Sequence, residues 1–117
     1  MKRRTTGSED GIVAVETALV IPTLMLVVAL AVTLVMTMGA KMSVLDASRE
    51  AARLAARGES TSAAVAAGRR LAPSRSTVRL VDRDHWVQAV VSAEIRPFRA
   101  LPGFTVSAST LAEREDR

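Results

Sequence analysis

Two residues at the start of a long apolar stretch, Gly11 and Glu16, have types and spacing that could take part in chemistry. Four apolar residues separate them, and Glu16 is the only charged residue between Gly11 and Ala40. If the chain were cut after Gly11, the new α-ammonium group of Ile12 would lie one helical turn from the Glu16 carboxylate. That carboxylate could instead meet the N-terminus of a neighbouring subunit, or lie in the headgroup region as an ordinary first-turn acid.

A second polar group is formed by Asp82, Asp84 and His85. These residues could be metal ligands or an acid–base pair, but a catalytic zinc needs three protein ligands and a structural zinc needs four. The chain has one histidine and no cysteine, and it contains no phosphate-binding glycine loop, nucleophile elbow or histidine–glutamate zinc motif. We interpret the group as a polar hairpin turn and expect no enzyme activity, no metal and no cofactor.

The element that must position Glu16 is a helix. Residues 17–40 carry no charge, and a helix of that length spans about 36 Å, which exceeds the roughly 30 Å hydrocarbon core of a bilayer. The interruptions are threonines and Pro22, which a membrane helix tolerates. The freed carbonyl of residue 18 could be met by a neighbour, by Thr17 or by Thr23, and Pro22 predicts a kink that either has no role or fits the helix into a bundle.

The leader before this helix is short and basic, with Lys2, Arg3 and Arg4. A secretory signal peptide begins in the same way, but its apolar region has about half this length and is followed by a small-residue cleavage site, which is not found before Lys41. Basic residues lie on both sides of the helix, so their distribution does not decide its orientation. The short leader favours an N-terminus inside and a C-terminal domain outside.

Gly11, the four apolar residues, Glu16 and the long apolar helix together resemble the class III signal of type IV prepilin-like proteins. Residues 14–22, AVETALVIP, are similar to the signature of TadE-like minor pilins (pseudopilins) of the tight-adherence (Tad/Flp) pilus system, and residues 47–57, ASREAARLAAR, are similar to the helix that follows there. One position departs from the family pattern, because Thr17 stands where an aromatic residue usually follows the glutamate.

The resemblance implies that a dedicated prepilin peptidase cuts between Gly11 and Ile12 and that Glu16 serves recognition or subunit assembly. It implies a location in the cytoplasmic (inner) membrane or a cell-surface pilus, and a part in pilus assembly with its links to cell adhesion and secretion. The implied partners are membrane lipid, the prepilin peptidase, other pilins or pseudopilins and the pilus assembly machinery, in homo- or hetero-oligomers.

Beyond the apolar stretch, residues 41–57 keep a helical period, with apolar residues on one side and charged residues on the other. The apolar side is a stripe of alanines with few larger residues, which allows close approach of another element. It could serve self-assembly or packing on the protein's own domain. Gly58 predicts the end of this helix, which we expect to extend out of the membrane.

The remaining residues predict a short helix over 63–71, ended by Pro73, and then strands of period two. Val87, Ala89, Val91, Ala93 and Ile95 alternate with polar residues, and a third strand begins at Phe104. We predict an α+β protein with a long N-terminal transmembrane helix, a short helix and a small antiparallel β-sheet. Its parts are a leader over residues 1–11, a transmembrane and protruding helix over 12–58 and an extracytoplasmic domain over 59–117.

Sixteen basic and 12 acidic residues give the chain a net charge of +4. Its densest basic region has no interleaved aromatic residues, which favours a solvated face over a nucleic-acid site; it comprises Arg69, Arg70, Arg75, Arg79 and Arg83. Two hypotheses remain. One is a pilus-assembly protein processed after Gly11, and the alternative is an unprocessed single-pass membrane protein whose outer domain binds an envelope partner.

Overall fold

The computed structural model describes residues 6–115 and has the predicted α+β architecture, so that the basic leader residues Lys2, Arg3 and Arg4 lie outside the described part. A long helix and a short helix precede three strands. The elements are α1 (Thr6–Ala56), α2 (Thr61–Leu71), β1 (Ser76–Arg83), β2 (Trp86–Ile95) and β3 (Phe104–Glu113). The chain divides into two compact units, one up to Leu34 and one from Val35 onward, and α1 contributes residues to both.

The first unit contains the apolar part of α1. This helix is long and apolar enough to cross a membrane, its most apolar window has a mean hydropathy of 2.7, and none of that window is buried. The hydroxyls of Thr17, Thr23 and Thr33 donate to the carbonyls four residues earlier, at 2.8–2.9 Å, so that polar side chains do not interrupt the helix. The first unit is therefore consistent with a single-pass membrane protein.

Gly58 ends the long helix as its position in the sequence predicts. Its φ of 85° lies in the left-handed region, where glycine has no steric penalty. The Gly58 amide donates to the Ala55 carbonyl and the Glu59 amide to the Leu54 carbonyl, both at 3.1 Å, which is the Schellman pattern. Ser60 then caps α2 by accepting from the Ala63 amide at 3.2 Å. These caps explain the short connection between the two helices.

The three strands form one antiparallel sheet in the order β1-β2-β3. Asp84 and His85 form the two-residue loop between β1 and β2, where Arg83 is paired with Trp86. Asp84 has a φ of 41°, a conformation that aspartate tolerates better than most residues. The predicted hairpin and third strand are confirmed, and the third strand extends to Glu113.

The core lies between the sheet and the second half of α1. The inward residues of β2 are those predicted from their alternation, and all five are at most 8% exposed. Ala40, Val44 and Ala47 cluster with Val91 and Ile95, whereas Ala55 clusters with Val87. Helix and strand therefore run in opposite directions along the core, and the alanine stripe packs on the protein's own sheet.

Helix α2 completes the core. It packs beside β1, and its buried Gly68 is so close to α1 that an added Cβ would lie 3.2 Å from the Ala51 Cβ and 3.3 Å from the Ala47 carbonyl oxygen. Since such distances are tighter than ordinary van der Waals contact, a side chain at position 68 would require its neighbours to move by a few tenths of an ångström, and glycine avoids that shift.

Candidate functional site

The predicted cleavage position lies on the exposed surface of α1. Helix α1 includes both Gly11 and Ile12, and the Ile12 side chain is 67% exposed. A Cβ added at Gly11 or at Gly7 would meet nothing within 4 Å. A side chain at either glycine is therefore accommodated by the structure, so that a requirement for glycine at position 11 would come from an external factor.

Glu16 begins an apolar strip along one side of α1. The strip consists of Glu16, Leu19, Val20, Thr23, Leu24 and Val27, a spacing of three and four residues that places them on one helix face. All six side chains are exposed, and the four larger apolar ones are exposed by 56–65%. The face has one carboxylate at its N-terminal end, and nothing among residues 6–34 covers it.

Pro22 lies inside this region without ending the helix, because α1 continues from Thr6 to Ala56. The hydroxyls of Thr17 and Thr23 donate to the carbonyls of Val13 and Leu19. Our expectation that one of them donates to the carbonyl of Ala18 is therefore not met, since a threonine hydroxyl reaches the carbonyl four residues before it. A neighbouring chain is the remaining candidate, and a kink at Pro22 stays a prediction.

The polar turn contacts the residue that follows β3. Asp82 accepts from Arg114 Nη2 at 2.6 Å, while Asp84 and His85 form the hairpin loop. The Arg114 amide also donates to the His85 carbonyl at 2.8 Å. Among residues 6–115, no three His, Cys, Asp or Glu side chains are grouped so that they could hold a metal ion. These polar residues connect the hairpin to the end of β3.

The charged face of α1 in the second unit carries short ion pairs. Arg53 donates to Glu50 from Nη2 at 2.8 Å and from Nε at 3.0 Å, and Arg49 lies 3.7 Å from Asp46. The hydrogen bond from Arg53, helped by the charges of Arg53 and Arg57, lowers the pKa of Glu50. These groups lie at the surface, where ion pairs contribute little to stability.

The arginines that are dense in the sequence belong to three consecutive parts of the chain. Arg69 and Arg70 are in the last turn of α2, Arg75 is in the following linker, and Arg79 and Arg83 are in β1. All five are exposed.

Two features are not predicted from the sequence. Ser48 is fully buried, and its hydroxyl lies 2.7 Å from the Thr110 hydroxyl and donates to the Leu45 carbonyl at 2.8 Å. Arg75 and Arg99, which are distant in the sequence, line one open cleft. An alternating pattern could have pointed to Thr110 as an inward residue of β3, but no local pattern pairs it with Ser48.

Comparison with known proteins finds one family. The family model described as TadE-like protein matches residues 11–53, which include Gly11, Glu16, the exposed apolar strip and most of the helix that packs on the sheet. No curated protein and no solved structure matches the chain at a significant level.

Proposed function

We propose that this chain, whose residues 11–53 match the TadE-like family model, acts as a minor pilin or pseudopilin in assembly of a Tad/Flp-type pilus. In this proposal α1 holds the protein in the cytoplasmic membrane, with the N-terminus inside and the sheet domain outside. The role is assembly and not catalysis, and the protein's partners are other pilins or pseudopilins and the assembly machinery.

The observation that carries the proposal is the strip that begins at Glu16. A carboxylate costs about 2.5–3.5 kcal/mol at the centre of a membrane and less near its interface, so an acid next to an apolar helix face needs a compensating partner. The strip is exposed along its whole length. A second apolar helix that brings a positive group to Glu16 would cover the apolar strip and compensate the charge of the carboxylate.

Proteolysis would supply that positive group. In the proposed step, a prepilin peptidase uses water to hydrolyse the Gly11–Ile12 peptide bond, which leaves a carboxylate on Gly11 and an α-ammonium on Ile12. The new ammonium can pair with Glu16 of the same chain, four residues later, or with Glu16 of a neighbouring subunit. Removal of the leader also removes Glu9 and Asp10, so that Glu16 becomes the first acid of the mature helix.

Mass spectrometry of the N-terminus from native membranes tests the processing step. We expect a mature chain that begins at Ile12. The variant Gly11→Leu should retain all of its leader, whereas Gly7→Leu should be processed normally. The two glycines are a matched pair, since neither has an atom near its Cβ position. Retention of the leader in the wild-type chain within assembled pili would contradict the proposal and favour the unprocessed membrane protein.

Charge removal at Glu16 tests the assembly step. Glu16→Gln should leave membrane insertion intact and reduce the amount of pilus or of co-purified pilins by about tenfold, which corresponds to the loss of about 1.4 kcal/mol per subunit contact. Glu9→Gln is the control, because this residue leaves with the leader. Normal piliation in the Glu16→Gln strain would show that the carboxylate has no part in assembly.

The departure at Thr17 provides a second processing variant. Thr17→Tyr restores the aromatic residue usual in the family and should increase the rate at which the leader is removed, as measured by pulse–chase labelling. Thr23→Tyr places the same side chain about 1.7 turns further along the helix and should leave the rate unchanged. An equal effect of both substitutions would mean that the position after Glu16 is not read by the peptidase.

A further inference from the structure

An open cleft of about 420 Å³ lies beside Met36, near the end of the uncharged stretch of α1. Its lining includes Met36 of α1, Pro73 and Arg75 of the α2–β1 linker, and Arg99 of the β2–β3 loop. We call this the arginine cleft. Ile95, at the end of β2, also lines it and belongs to the core cluster that contains Ala40. The cleft therefore lies at the α1 residues that end the uncharged stretch.

The arginine cleft carries an excess of positive charge. Arg96 and Glu94 line it as well, but Arg96 Nε donates to Glu94 Oε1 at 2.8 Å, so that their charges compensate each other. Within residues 6–115, the side chains of Arg75 and Arg99 form no ion pair. Gly103 packs against the Glu94–Arg96 pair, since a Cβ there would lie 2.8 Å from both side chains. The loop that carries Arg99 is thus held by contacts at both ends.

Exposed apolar side chains lie at or next to the lining residues of the cleft along the chain. Met36 and Val35, which belong to the same compact unit as the cleft, are 43% and 70% exposed. The β2–β3 loop exposes Phe98 and Leu101 on either side of Arg99, with the Leu101 amide donating to the Phe98 carbonyl at 3.3 Å. Arginines next to exposed aromatic and aliphatic side chains are typical of the boundary between membrane and water.

We propose that the arginine cleft binds the headgroup of an anionic phospholipid. The phosphate lies between Arg75 and Arg99, and the acyl chains lie beside Met36, which belongs to the uncharged stretch of α1. A free anion would use the two arginines but gain nothing from the apolar side chains beside them. A protein partner would not require those side chains to belong to the uncharged stretch of α1. The inference depends on the membrane insertion proposed above, but not on processing or pilus assembly.

The test uses the full chain in nanodiscs. The chain has no natural cysteine, so that Ala100→Cys provides a single site for a spin label inside the β2–β3 loop, and His85→Cys provides one at the opposite end of β2. Oxygen and nickel-chelate accessibility then measure the depth of each label. Discs contain phosphatidylcholine alone or phosphatidylcholine and phosphatidylglycerol in equal amounts, with or without added inorganic phosphate.

We expect the label at position 100 to reach the headgroup region when phosphatidylglycerol is present, and the label at position 85 to stay in water. Because a basic residue near an anionic membrane contributes about a fivefold preference, Arg75→Gln with Arg99→Gln should lower the ratio of immersed to exposed label about 30-fold. Arg79→Gln with Arg83→Gln makes the same change in charge on β1 and should leave the ratio unchanged. Inorganic phosphate should not compete.

Several results would overturn the proposal. Equal immersion in both lipids, unaffected by the arginine substitutions, would indicate apolar contact without headgroup binding. Release of the label by inorganic phosphate would identify a site for free anions, and ordering of the loop only after addition of assembled pilus would identify a protein interface. A label at position 26 of α1, from Leu26→Cys, reports insertion separately. If it stays in water, both the membrane placement and the lipid site are wrong, whereas failure at position 100 alone leaves the proposed function intact.

Discussion

The two parts of helix α1 differ in whether the rest of the chain covers their apolar side chains. Between Ile12 and Leu34 its large apolar side chains are 44–70% exposed, whereas between Ala40 and Ala56 the inward residues are at most 9% exposed. Both parts are continuous helix. The difference is that the sheet covers the second part, whereas nothing within residues 6–34 covers the first, which is consistent with a membrane span.

The residue types of the two parts differ in the same way as their exposure. The exposed part uses Leu, Val, Ile and Met, which gain most from an apolar solvent. The buried part uses Ala with Val44 and Ser48, because small residues let the helix axis approach the sheet closely. A single helix therefore displays a lipid-facing composition and a domain-core composition, and the change between them occurs near Gly39 and Ala40.

The largest expected effect comes from placing one carboxylate in each part. Val44 is fully buried and Val28 is 54% exposed. Val44→Asp buries an unpaired charge and should cost more than about 4 kcal/mol, enough to unfold a small domain. Val28→Asp should leave the domain folded and hinder membrane insertion. Limited proteolysis in membranes measures the first effect and extraction at alkaline pH the second.

If Val28→Asp made the sheet domain as sensitive to protease as Val44→Asp does, the stability of the domain would depend on the apolar part of α1. The contrast between the two parts would then be wrong.

A smaller effect is expected at Gly68, where α2 touches α1. Gly68→Leu should lower the free energy of unfolding by about 1–3 kcal/mol, because the added side chain meets Ala51, Val78 and the Ala47 carbonyl. Gly68→Ala should be nearly neutral, since its tight contacts are offset by about 1 kcal/mol of helix propensity. Urea unfolding of the two variants measures the difference. Equal stability of both would show that α2 moves freely away from α1.

Ser48 provides a finer test of the helix–sheet contact. Ser48→Ala removes a buried hydrogen bond to Thr110 and should cost about 1 kcal/mol. In combination with Thr110→Val, which replaces the other hydroxyl by a methyl group, part of that loss should be recovered. A double-mutant cycle from urea unfolding gives the coupling, and strictly additive effects would mean that the two hydroxyls are not paired in solution.

The smallest expected effect is a pH dependence at the surface of α1. Since the folded chain lowers the pKa of Glu50 below its ordinary value of 4.5, the stabilisation by Arg53 is present at neutral pH. It disappears as the pH falls below that ordinary value and through the folded pKa. Glu50→Gln should flatten this part of the stability curve slightly, as measured by thermal unfolding between neutral pH and pH about 3.

Several elements could be predicted from sequence because their causes are local. The uncharged stretch determines a helix of membrane length, Gly58 supplies the left-handed residue that ends α1, and alternation identifies the inward face of β2. Gly11 and Glu16 were also found locally, since their spacing lies within two turns of one helix. The leader, the cleavage and the domain boundaries at residues 11 and 58 stay predictions.

The tertiary structure decided what depends on residues far apart in the chain. The alanine stripe allowed either self-assembly or packing on the sheet, and only the position of β2 against α1 shows that it is covered within the chain. No sequence pattern pairs Ser48 with Thr110, and only the position of β3 against α1 brings the two hydroxyls together. The arginine cleft also depends on residues far apart in the chain. Arg75 and Arg99 line it together only because the α2–β1 linker and the β2–β3 loop both lie beside Met36 of α1. Local patterns specify the period and the ends of an element, but the pairing of two surfaces depends on where the intervening chain carries them.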